Sequence, residues 1–402
     1  MVSFETARAA AAALASPLDR RREVPLHAAA GRVLARTIHA PRSLPTFDQA
    51  AMDGYAVSLV GRAGLPLVLP VSGRTHAGDA PGVLVPGTAH RIMTGGALPA
   101  GADTVVMQEQ TTLRGSGLVQ LGPDIQAGTH IRRAGEDVRQ GAAVLPAGTV
   151  LAWPEIALLA ALGIASVPVT GPVRVGVLTT GSELRDAAET LNEGTVHDSN
   201  GPMLAALLAA PGIQLTSVSA PDDAAAITAT IAALAERTDL LITTAGMSVG
   251  EEDHVRGAVL NAGGQLDVVK VAMKPGKPLG LGRIGDACFV GLPGNPQAAA
   301  YGALAFVRPM LAIMAGEASA APVTARAAFT RARRPDRTDM LPVRLRSQDG
   351  GLTAQRIPSD GSHRMLPMVA ADAIAIVPAA AAPLDNGSLV EILPFDRPRF
   401  VR

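Results

Sequence analysis

The middle of the chain alternates short apolar runs with longer Ala-rich segments, and this alternation constrains the fold more than any other feature. Runs rich in β-branched residues predict strands, and the segments between them have the length and periodicity of helices. Strands that alternate with helices are typical of a doubly wound, mostly parallel α/β sheet. The predicted strands are 173–178, 213–218, 240–244, 266–271 and 288–292, and the predicted helices are 202–210, 222–237, 253–262 and 295–314.

The segments on either side of this block are predicted to be rich in β-structure. Between residues 24 and 150, short apolar runs are broken by Gly, Pro and Asp, which is typical of strands joined by turns. The apolar run 156–169 predicts a buried helix that leads into a strand. The tail 321–402 returns to short strands with turns at 349–351 and 385–387, and it predicts a small β-barrel or sandwich.

We therefore expect an α/β plus β fold, with an elongated multidomain protomer. The first segment is expected to be a helix that has Ser3 as its N-cap and packs on the α/β block. The predicted parts are 1–23 for this helix, 24–172 for a β-rich N-terminal region with roughly 46–140 inserted as a second subdomain, 173–318 for the α/β domain and 319–402 for a C-terminal small β-barrel.

Charge and composition argue against some classes of partner. Lys+Arg and Asp+Glu both number 35, and the chain has only one Trp, two Tyr and seven Phe. Neither phosphate-driven binding of nucleic acid nor base stacking is favoured by this composition. The single cysteine, Cys288, cannot form an internal disulfide, which favours a reducing compartment. We expect no membrane span. The Ala-rich start resembles a signal peptide, but Glu5 lies where a signal peptide would carry basic residues, so a first helix is the better interpretation.

Each predicted strand end in the α/β block is followed by a polar or glycine-rich loop. In open α/β sheets, ligands bind beyond the carboxyl ends of the strands, so these loops predict one cleft. The loop 245–253 runs into a predicted helix, and the N-terminus of that helix favours an anion. This loop nevertheless lacks the spacing of a Walker A or Gly-x-Gly-x-x-Gly sequence. A tight glycine connection is the alternative interpretation. The loops are 179–183, 245–253, 274–278 and 293–296.

Three lysines and four carboxylates in or near these loops are candidates for binding an anion and a metal ion. Lys270, Lys274 and Lys277 are compact cations that suit a multiply charged oxyanion, although solvated surface lysines would show the same pattern. The carboxylates supply oxygen ligands of the kind that Mg²⁺ uses together with substrate phosphates. They are Glu183, Asp198, Asp222 and Asp253, and either Asp222 or Asp223 could instead cap the helix that follows. The eight histidines show no spacing typical of zinc sites.

The segment 45–57, Pro-Thr-Phe-Asp-Gln-Ala-Ala-Met-Asp-Gly-Tyr-Ala-Val, resembles the opening motif of the molybdopterin molybdenumtransferase (MoeA) family, which is also found in the enzyme domain of gephyrin. The companion motifs of that family follow in the same order. They are similar to 91–96, 131–137, 179–183, 198–200, 248–253, 274–278 and 291–296. The resemblance covers roughly residues 1–320 by motif and the β-rich tail by layout.

The resemblance implies a cytoplasmic homodimer of four-part protomers whose α/β domain binds molybdopterin. It implies that molybdenum from molybdate, a substrate, is inserted into adenylylated molybdopterin with Mg²⁺ as cofactor and with release of AMP. A molybdopterin adenylyltransferase is a further implied partner, and neither nucleic acid nor membrane is expected.

The resemblance also assigns roles to residues of this chain by their place in the matching motifs. The implied catalytic residues are Asp53, Asp137, Glu183, Asp253, Lys270 and Lys274, with Glu183 and Asp253 as metal ligands. The implied substrate-binding residues are Thr94, Arg132, Ser182, Asp222, Gly246, Ser248, Gly250, Lys277, Pro293, Asn295 and Ser362.

Four positions depart from the family pattern. Ala50 and Met247 replace the usual Ser and Val, and Ser182 replaces an Asp, which puts a metal-facing role at 182 in question. Ala245 replaces a Gly, so we expect either a negative φ at this residue or a shifted loop. The departures leave open a tungsten-inserting paralogue or a weakened enzyme. A carrier or scaffold without turnover is a separate alternative, and the lysines and carboxylates favour catalysis over it. Adenylylation of molybdopterin is a further alternative, and it is disfavoured because the stand-alone adenylyltransferases lack the flanking β regions and the Met-Asp-Gly-Tyr segment at 52–55.

Overall fold

The computed structural model describes residues 1–59, 66–246, 254–348, 351–359 and 361–395. Its centre is a six-stranded sheet in the order Ile213–Ala220, Val173–Thr180, Leu240–Thr244, Ala287–Leu292, Pro278–Ile284, Gln265–Lys270. The first four strands are parallel, and the last two add an antiparallel hairpin in which Gln265–Lys270 again runs in the common direction. The predicted α/β module with a mostly parallel sheet is confirmed.

The strand Pro278–Ile284 is missing from the sequence prediction. Its two glycines, Gly280 and Gly282, weaken the strand signal because glycine has a low β-propensity. A side chain at Gly282 would collide with the carbonyl oxygen of Gln265 on the neighbouring strand. Glycine is therefore required here for close pairing of the hairpin, although it hides the strand from periodicity.

Helices cover both faces of the sheet. Phe4–Leu14, Asn200–Leu208 and the helical run 296–315 share one apolar core with the sheet, while Ala224–Ala235 and His254–Asn261 cover the other face. The first helix begins at the predicted cap, because the hydroxyl of Ser3 accepts a hydrogen bond from the backbone N–H of Thr6 at 3.0 Å. The run 296–315 consists of the α-helix Pro296–Gly302, the π-helical segment Ala303–Val307 and the α-helix Arg308–Ala315.

The run 296–315 is also long and apolar enough to pass a length-and-composition test for a membrane span. Burial explains its apolar character, because 72% of this stretch lies inside the protein. The ring of Phe306 packs against that of Phe4 with centroids 5.7 Å apart. The segment therefore behaves as the core helix of the α/β module.

Among its described residues, the N-terminal β region has three two-stranded ladders, one six-stranded sheet and the helix Trp153–Ala161, packed around cores of their own. In the part nearest the module, Arg21–Pro25 pairs with Ser166–Thr170 and Ile38–His39 pairs with Ala143–Leu145, beside the helix Trp153–Ala161. The intervening chain forms a six-stranded sheet in the order Thr104–Met107, Gly54–Val57, Ala89–Ile92, Val68–Thr75, Leu118–Leu121, Thr111–Arg114. Gln49–Ala50 pairs with Ile131–Arg132 next to it.

The C-terminal strands close into a ring. Thr338–Gln348, Gly351–Arg356, Thr324–Ala327, Leu389–Pro394 and Ala373–Val377 pair in this order, and the last pairs back to the first. This is a small barrel rather than a two-sheet sandwich. The short helix Leu366–Ala370 lies beside it. One strand of the ring, at Thr338–Asp339, also pairs with Met273–Lys274 and so joins the barrel to the α/β module.

Candidate functional site

The candidate site lies at the edge of the central sheet where the parallel strands end. Thr180, Ala220, Thr244 and Leu292 are the last residues of four adjacent strands, and Lys270 ends a fifth strand that runs in the same direction. The loops that the sequence analysis singled out therefore meet at one edge. The geometry is that of a ligand cleft in an open α/β sheet.

The loop after Val173–Thr180 carries Ser182 and Glu183. The hydroxyl of Ser182 accepts a hydrogen bond from the backbone N–H of Asp222 at 3.1 Å, which ties this loop to the loop after the neighbouring strand. The carboxylate of Glu183 folds over Gly181, and a side chain at Gly181 would lie 2.5 Å from Glu183 Oε2. Glu183 and Asp222 are both exposed, so two carboxylates face solvent from adjacent loops.

Asp223, rather than Asp222, caps the helix that follows. Its side chain accepts a hydrogen bond from the N–H of Ala226 at 2.8 Å. Asp198 is also a capping residue, because it accepts hydrogen bonds from the N–H groups of Asn200 and Gly201 at 2.9 and 3.0 Å. Thr179 donates to the other oxygen of Asp198 at 2.8 Å. Asp198 therefore serves the fold, and Asp222 stays available to a ligand.

Asn200 is a site residue that the sequence analysis did not single out. Its amide nitrogen donates to the carbonyl oxygen of Gly294 at 2.7 Å, which fixes the loop of Pro293 and Asn295. Its amide oxygen is buried and has no hydrogen-bond partner within the described residues. A buried acceptor of this kind at the edge of a cleft is available to a ligand donor. The Asp198-Ser-Asn motif was the signal that could have identified it.

The lysines share one tight loop. The backbone N–H of Val271 donates to the carbonyl of Lys277 at 2.7 Å, and Lys270 lies opposite Pro278 in the hairpin. All three lysines, at 270, 274 and 277, are exposed. The structure thus brings together the three cations that the sequence analysis proposed for an oxyanion.

Two arginines of the barrel lie beside this loop. Lys274 is paired in register with Asp339, a buried carboxylate that forms ion pairs with Arg331 at 2.9 Å and with Arg337 at 3.3 Å. The sequence analysis missed both arginines. Their only signal was the arginine-rich run 331–337, since the strand pairing that brings them to Lys274 joins residues far apart in the chain.

Ser362 lies on a barrel segment that packs on the start of the helix Pro296–Gly302. The carbonyl oxygen of Ser362 accepts a hydrogen bond from the N–H of Gln297 at 3.2 Å. The side chain of Gln297 donates to the hydroxyl of Ser359 at 3.0 Å and also bonds to the carbonyl of Arg364. Ser362 therefore lies beside Gln297, two residues after Asn295 in the chain.

The glycine loop begins with two residues in the left-handed region. Ala245 has φ +72° and Gly246 has φ +71°. Of the two alternatives for Ala245, a negative φ is wrong, because this residue adopts a glycine-like conformation although it has a Cβ. The close packing of Gly294, at which a Cβ would lie 3.3 Å from Cβ of Ala245, holds the two loops together. Ser248, Gly250 and Asp253, with Met247, lie outside the described residues.

A second group of assigned residues lies in the N-terminal β region. Oδ1 of Asp53 accepts hydrogen bonds from the backbone N–H and the hydroxyl of Thr94, both at 2.7 Å. These hydrogen bonds, with a smaller contribution from the charge of Arg91, hold the pKa of Asp53 below its ordinary value. The carboxylate of Asp53 is thus fixed and ionised before any ligand arrives.

Arg132 and Asp137 lie on segments that surround this pair. Arg132 is opposite Gln49 in a two-residue ladder, and the N–H of Ala51 donates to the carbonyl of His130 at 2.9 Å. The N–H of Asp137 donates to the carbonyl of Leu44 at 3.1 Å. Both side chains are exposed. Ala50, one of the departures, is fully buried in this junction, where its N–H and carbonyl bond to Gly96 and Gly95.

Cys288 has no role in either group. It is buried in the strand Ala287–Leu292, its thiol donates to the carbonyl of Leu14 at 3.1 Å, and burial raises its pKa. A protonated buried thiol is a poor nucleophile. Within the described ranges, no cluster of three or more His, Cys, Asp or Glu residues could hold a metal ion by itself.

Comparison with known proteins assigns the chain to a family. Three family models match it in order: the MoeA N-terminal region (domain I and II) at residues 2–163, a probable molybdopterin binding domain at 176–313 and the MoeA C-terminal region (domain IV) at 324–395. A molybdopterin molybdenumtransferase of Haemophilus influenzae is 40% identical over 294 residues, which are 73% of this chain and 72% of that protein.

Other relatives extend the match over nearly the whole chain. A molybdopterin molybdenumtransferase of Bacillus subtilis is 32% identical over 377 residues, which are 90% of this chain and 87% of that protein. The crystal structure of the molybdopterin biosynthesis MoeA protein from Pyrococcus horikoshii OT3 has a TM-score of 0.84 at 27% identity and covers 98% of this chain and 100% of its own. The chain belongs to the molybdopterin molybdenumtransferase (MoeA) family of transferases.

Proposed function

We propose that this chain inserts molybdenum from molybdate into adenylylated molybdopterin, with release of AMP and with a requirement for Mg²⁺. The observation that carries the proposal is the meeting of three lysines and two exposed carboxylates at the carboxyl edge of the sheet. Molybdate and the pyrophosphate group of the substrate are both anions that need such cations. The carboxylates would supply oxygen ligands for Mg²⁺.

The cationic side of the cleft is suited to binding and orienting oxyanions. The ammonium groups of Lys270, Lys274 and Lys277 can each approach a different oxygen, because an ammonium is a compact charge on a flexible stem. Arg331 and Arg337 add positive charge beside Lys274, although the buried Asp339 balances part of it. Holding molybdate next to the substrate dithiolate converts a bimolecular encounter into a positioned reaction.

The donor set fits Mg²⁺. This ion is usually bound by one or two carboxylates together with substrate phosphates, rather than by a cage of protein ligands. Glu183 and Asp222 are exposed on adjacent loops that the hydroxyl of Ser182 holds together, and we propose Glu183 with Asp253 as the main ligands. Magnesium bound there would supply Lewis-acid polarisation of the phosphoanhydride. Ser182 itself then acts as a loop tether in place of a ligand.

We further propose that the active unit is a homodimer. Asp53 and Thr94 are partnered with each other in the N-terminal region, far along the chain from the lysine loop. In a twofold dimer, this group of one protomer can face the α/β loops of its partner and form two equivalent composite sites. Asp53, Arg132 and Asp137 would then act on the substrate bound by the other protomer.

The proposed reaction also implies a source for the substrate, and a buried cysteine bears on the cellular location. An adenylylated substrate has to be made by a molybdopterin adenylyltransferase, so we propose that enzyme as the functional partner. The buried, protonated thiol of Cys288 is consistent with a reducing cytoplasm.

The decisive experiment is incubation of the purified protein with adenylylated molybdopterin, molybdate and Mg²⁺, followed by measurement of AMP and finished cofactor. We expect stoichiometric release of both, dependent on molybdate and abolished by a chelator. Binding of the pterin without AMP release would identify a carrier or scaffold instead. Faster turnover with tungstate than with molybdate would identify a tungsten-inserting paralogue.

A further inference from the structure

A cluster of arginines lies at the opposite edge of the central sheet from the candidate site. Arg20, Arg21, Arg22 and Arg174 line a cavity of about 340 Å³, together with Gly171 and Pro172. Arg174 is the second residue of the strand Val173–Thr180, so the cavity is at the amino end of that strand. The eight residues of the strand span about 25 Å at ~3.3 Å per residue, which separates this cavity from the cleft.

One buried carboxylate organises the cluster without neutralising it. Asp239 accepts hydrogen bonds from the backbone N–H of Arg174 at 2.8 Å and from its guanidinium at 2.9 Å, and it forms an ion pair with Arg20. Burial raises the pKa of Asp239, but the hydrogen bonds from Arg174 and Arg20 outweigh it and the pKa is lowered. Asp239 is therefore an anion that balances only one of the four positive charges.

The remaining acids near the cavity do not remove the excess. Asp19 approaches Arg21 at 4.0 Å, but its side chain is 97% exposed, so this surface pair contributes little. Glu23 is exposed on the same strand and does not line the cavity. Nε of Arg20 is buried and has no hydrogen-bond partner among the described residues. A donor of this kind, beside unbalanced guanidinium groups, points to an anionic ligand.

The shape of the site is held by the backbone. The N–H of Gly171 donates to the carbonyl of Arg20 at 2.7 Å, and a Cβ at Gly171 would lie 2.9 Å from Cβ of Arg20. The guanidinium of Arg20 also donates to the carbonyl of Pro172 at 3.1 Å. These contacts join the segment that follows the first helix to the segment that enters the central sheet. The guanidinium groups of Arg20 and Arg174 stay partly open to solvent, with 36% and 40% of each side chain exposed.

We propose that this arginine cavity is a binding site for a diphosphate-class anion, separate from the candidate active site and independent of the function proposed above. Guanidinium groups match phosphate oxygens with paired N–H donors, and several of them in one cavity select a multiply charged ligand. The lining residues include no aromatic side chain on which a base or a pterin could stack. The cavity is also larger than one tetrahedral ion requires, which favours two linked phosphates over one.

The test measures the binding of inorganic pyrophosphate by calorimetry. A chelator removes divalent metal ions, and the ionic strength is kept constant. The first variant, Lys274→Ala with Lys277→Ala, removes cations of the active-site loop, and we expect it to keep a saturable pyrophosphate site. Adding Arg21→Ala and Arg22→Ala to that background should weaken the Kd by at least about tenfold, since half of the guanidinium groups are lost. These two arginines are chosen because neither forms an ion pair with Asp239.

Controls separate the cavity from general charge. Arg114→Ala with Arg346→Ala removes two exposed arginines elsewhere and should leave the Kd unchanged. If the alanine variant at 21 and 22 lowers the melting temperature, Arg21→Gln with Arg22→Gln keeps the side-chain length and should show the same loss of binding. Retained pyrophosphate affinity in both arginine variants, equal loss in the control pair, or equal Kd for phosphate and pyrophosphate would overturn the proposal.

Discussion

The two groups of site residues hold their charges in different ways. Asp53 accepts two hydrogen bonds from Thr94, and these hydrogen bonds lower its pKa. Both residues lie in a region held together by paired strands. Glu183, by contrast, is exposed on a loop at the end of the sheet, and the side chain of Lys274 is exposed although its backbone pairs with Asp339. The N-terminal group is organised before a ligand binds, whereas the loop group has charges that a ligand would have to order. On the function proposed above, we expect the N-terminal group to position the substrate and the loop side chains to become ordered around it.

The largest expected effect comes from removing one carboxylate from either group. Asp53→Asn or Glu183→Gln should each lower AMP release by at least about 100-fold, because a charge at the reacting centre is lost. Neither side chain belongs to a core, so the melting temperature should change little. Activity assays beside thermal melts check this. Wild-type turnover in both variants would remove these carboxylates from the mechanism.

Mixing the two inactive variants tests whether the groups meet across a dimer. Random exchange makes about half of the dimers mixed, and a mixed dimer has one intact and one doubly damaged site, so about 25% of wild-type activity should return. The measurement is AMP release after subunit exchange, with mixed dimers isolated by two affinity tags. Isolated mixed dimers that stay inactive would mean that both groups serve one protomer's site.

The next effect is selective for one substrate. Lys274→Ala should raise the KM for molybdate about tenfold and the KM for the pterin less, because one compact charge acts over a short range. The matched control is Arg346→Ala, an exposed cation of the barrel away from the lysine loop. Steady-state kinetics with each substrate varied in turn decides the point. A rise confined to the pterin KM would assign Lys274 to the pyrophosphate instead.

The sequence placed the loops at the ends of strands correctly, because each loop follows a strand with a clear apolar pattern. Arg331 and Arg337 were not identified because strand pairing between distant segments, that of Lys274 with Asp339, brings them to the site. Asn200 was passed over although a sequence motif contains it, because its contact with Gly294 is visible only in the structure. Periodicity carries no information on such pairings. The strand Pro278–Ile284 was missed for a related reason. Gly282 is needed because Gln265 on a neighbouring strand approaches its backbone closely, and this contact cannot be read from periodicity.

A smaller effect is expected on the acid side of the pH profile. Asp53 has a lowered pKa, so its carboxylate stays ionised to lower pH in the folded protein, and any stability it adds is lost as the pH falls through that folded pKa. Thr94→Val removes the hydroxyl donor and should raise the pKa of Asp53, which moves the acid limb of kcat/KM to higher pH. Thr94→Ser keeps the donor and should not move the limb. Titration of the Asp53 carboxyl by NMR measures the same shift directly, and identical curves for Val and Ser would contradict it.

The smallest expected effect concerns the conformation of the glycine loop. An alanine with φ +72° costs about 1 kcal/mol relative to glycine, because its Cβ crowds the backbone in the left-handed region. Ala245→Gly should therefore raise the melting temperature by about 2 °C. Gly246→Ala, at φ +71°, places the same strain on the next residue and should lower it by a similar amount. Scanning calorimetry of both variants checks the pair. If Ala245→Gly also leaves AMP release unchanged, the departure from the family pattern at 245 affects the rigidity of the loop and not its chemistry, whereas a destabilised Ala245→Gly protein would mean that the packing of the Ala245 Cβ against Gly294 outweighs the backbone strain.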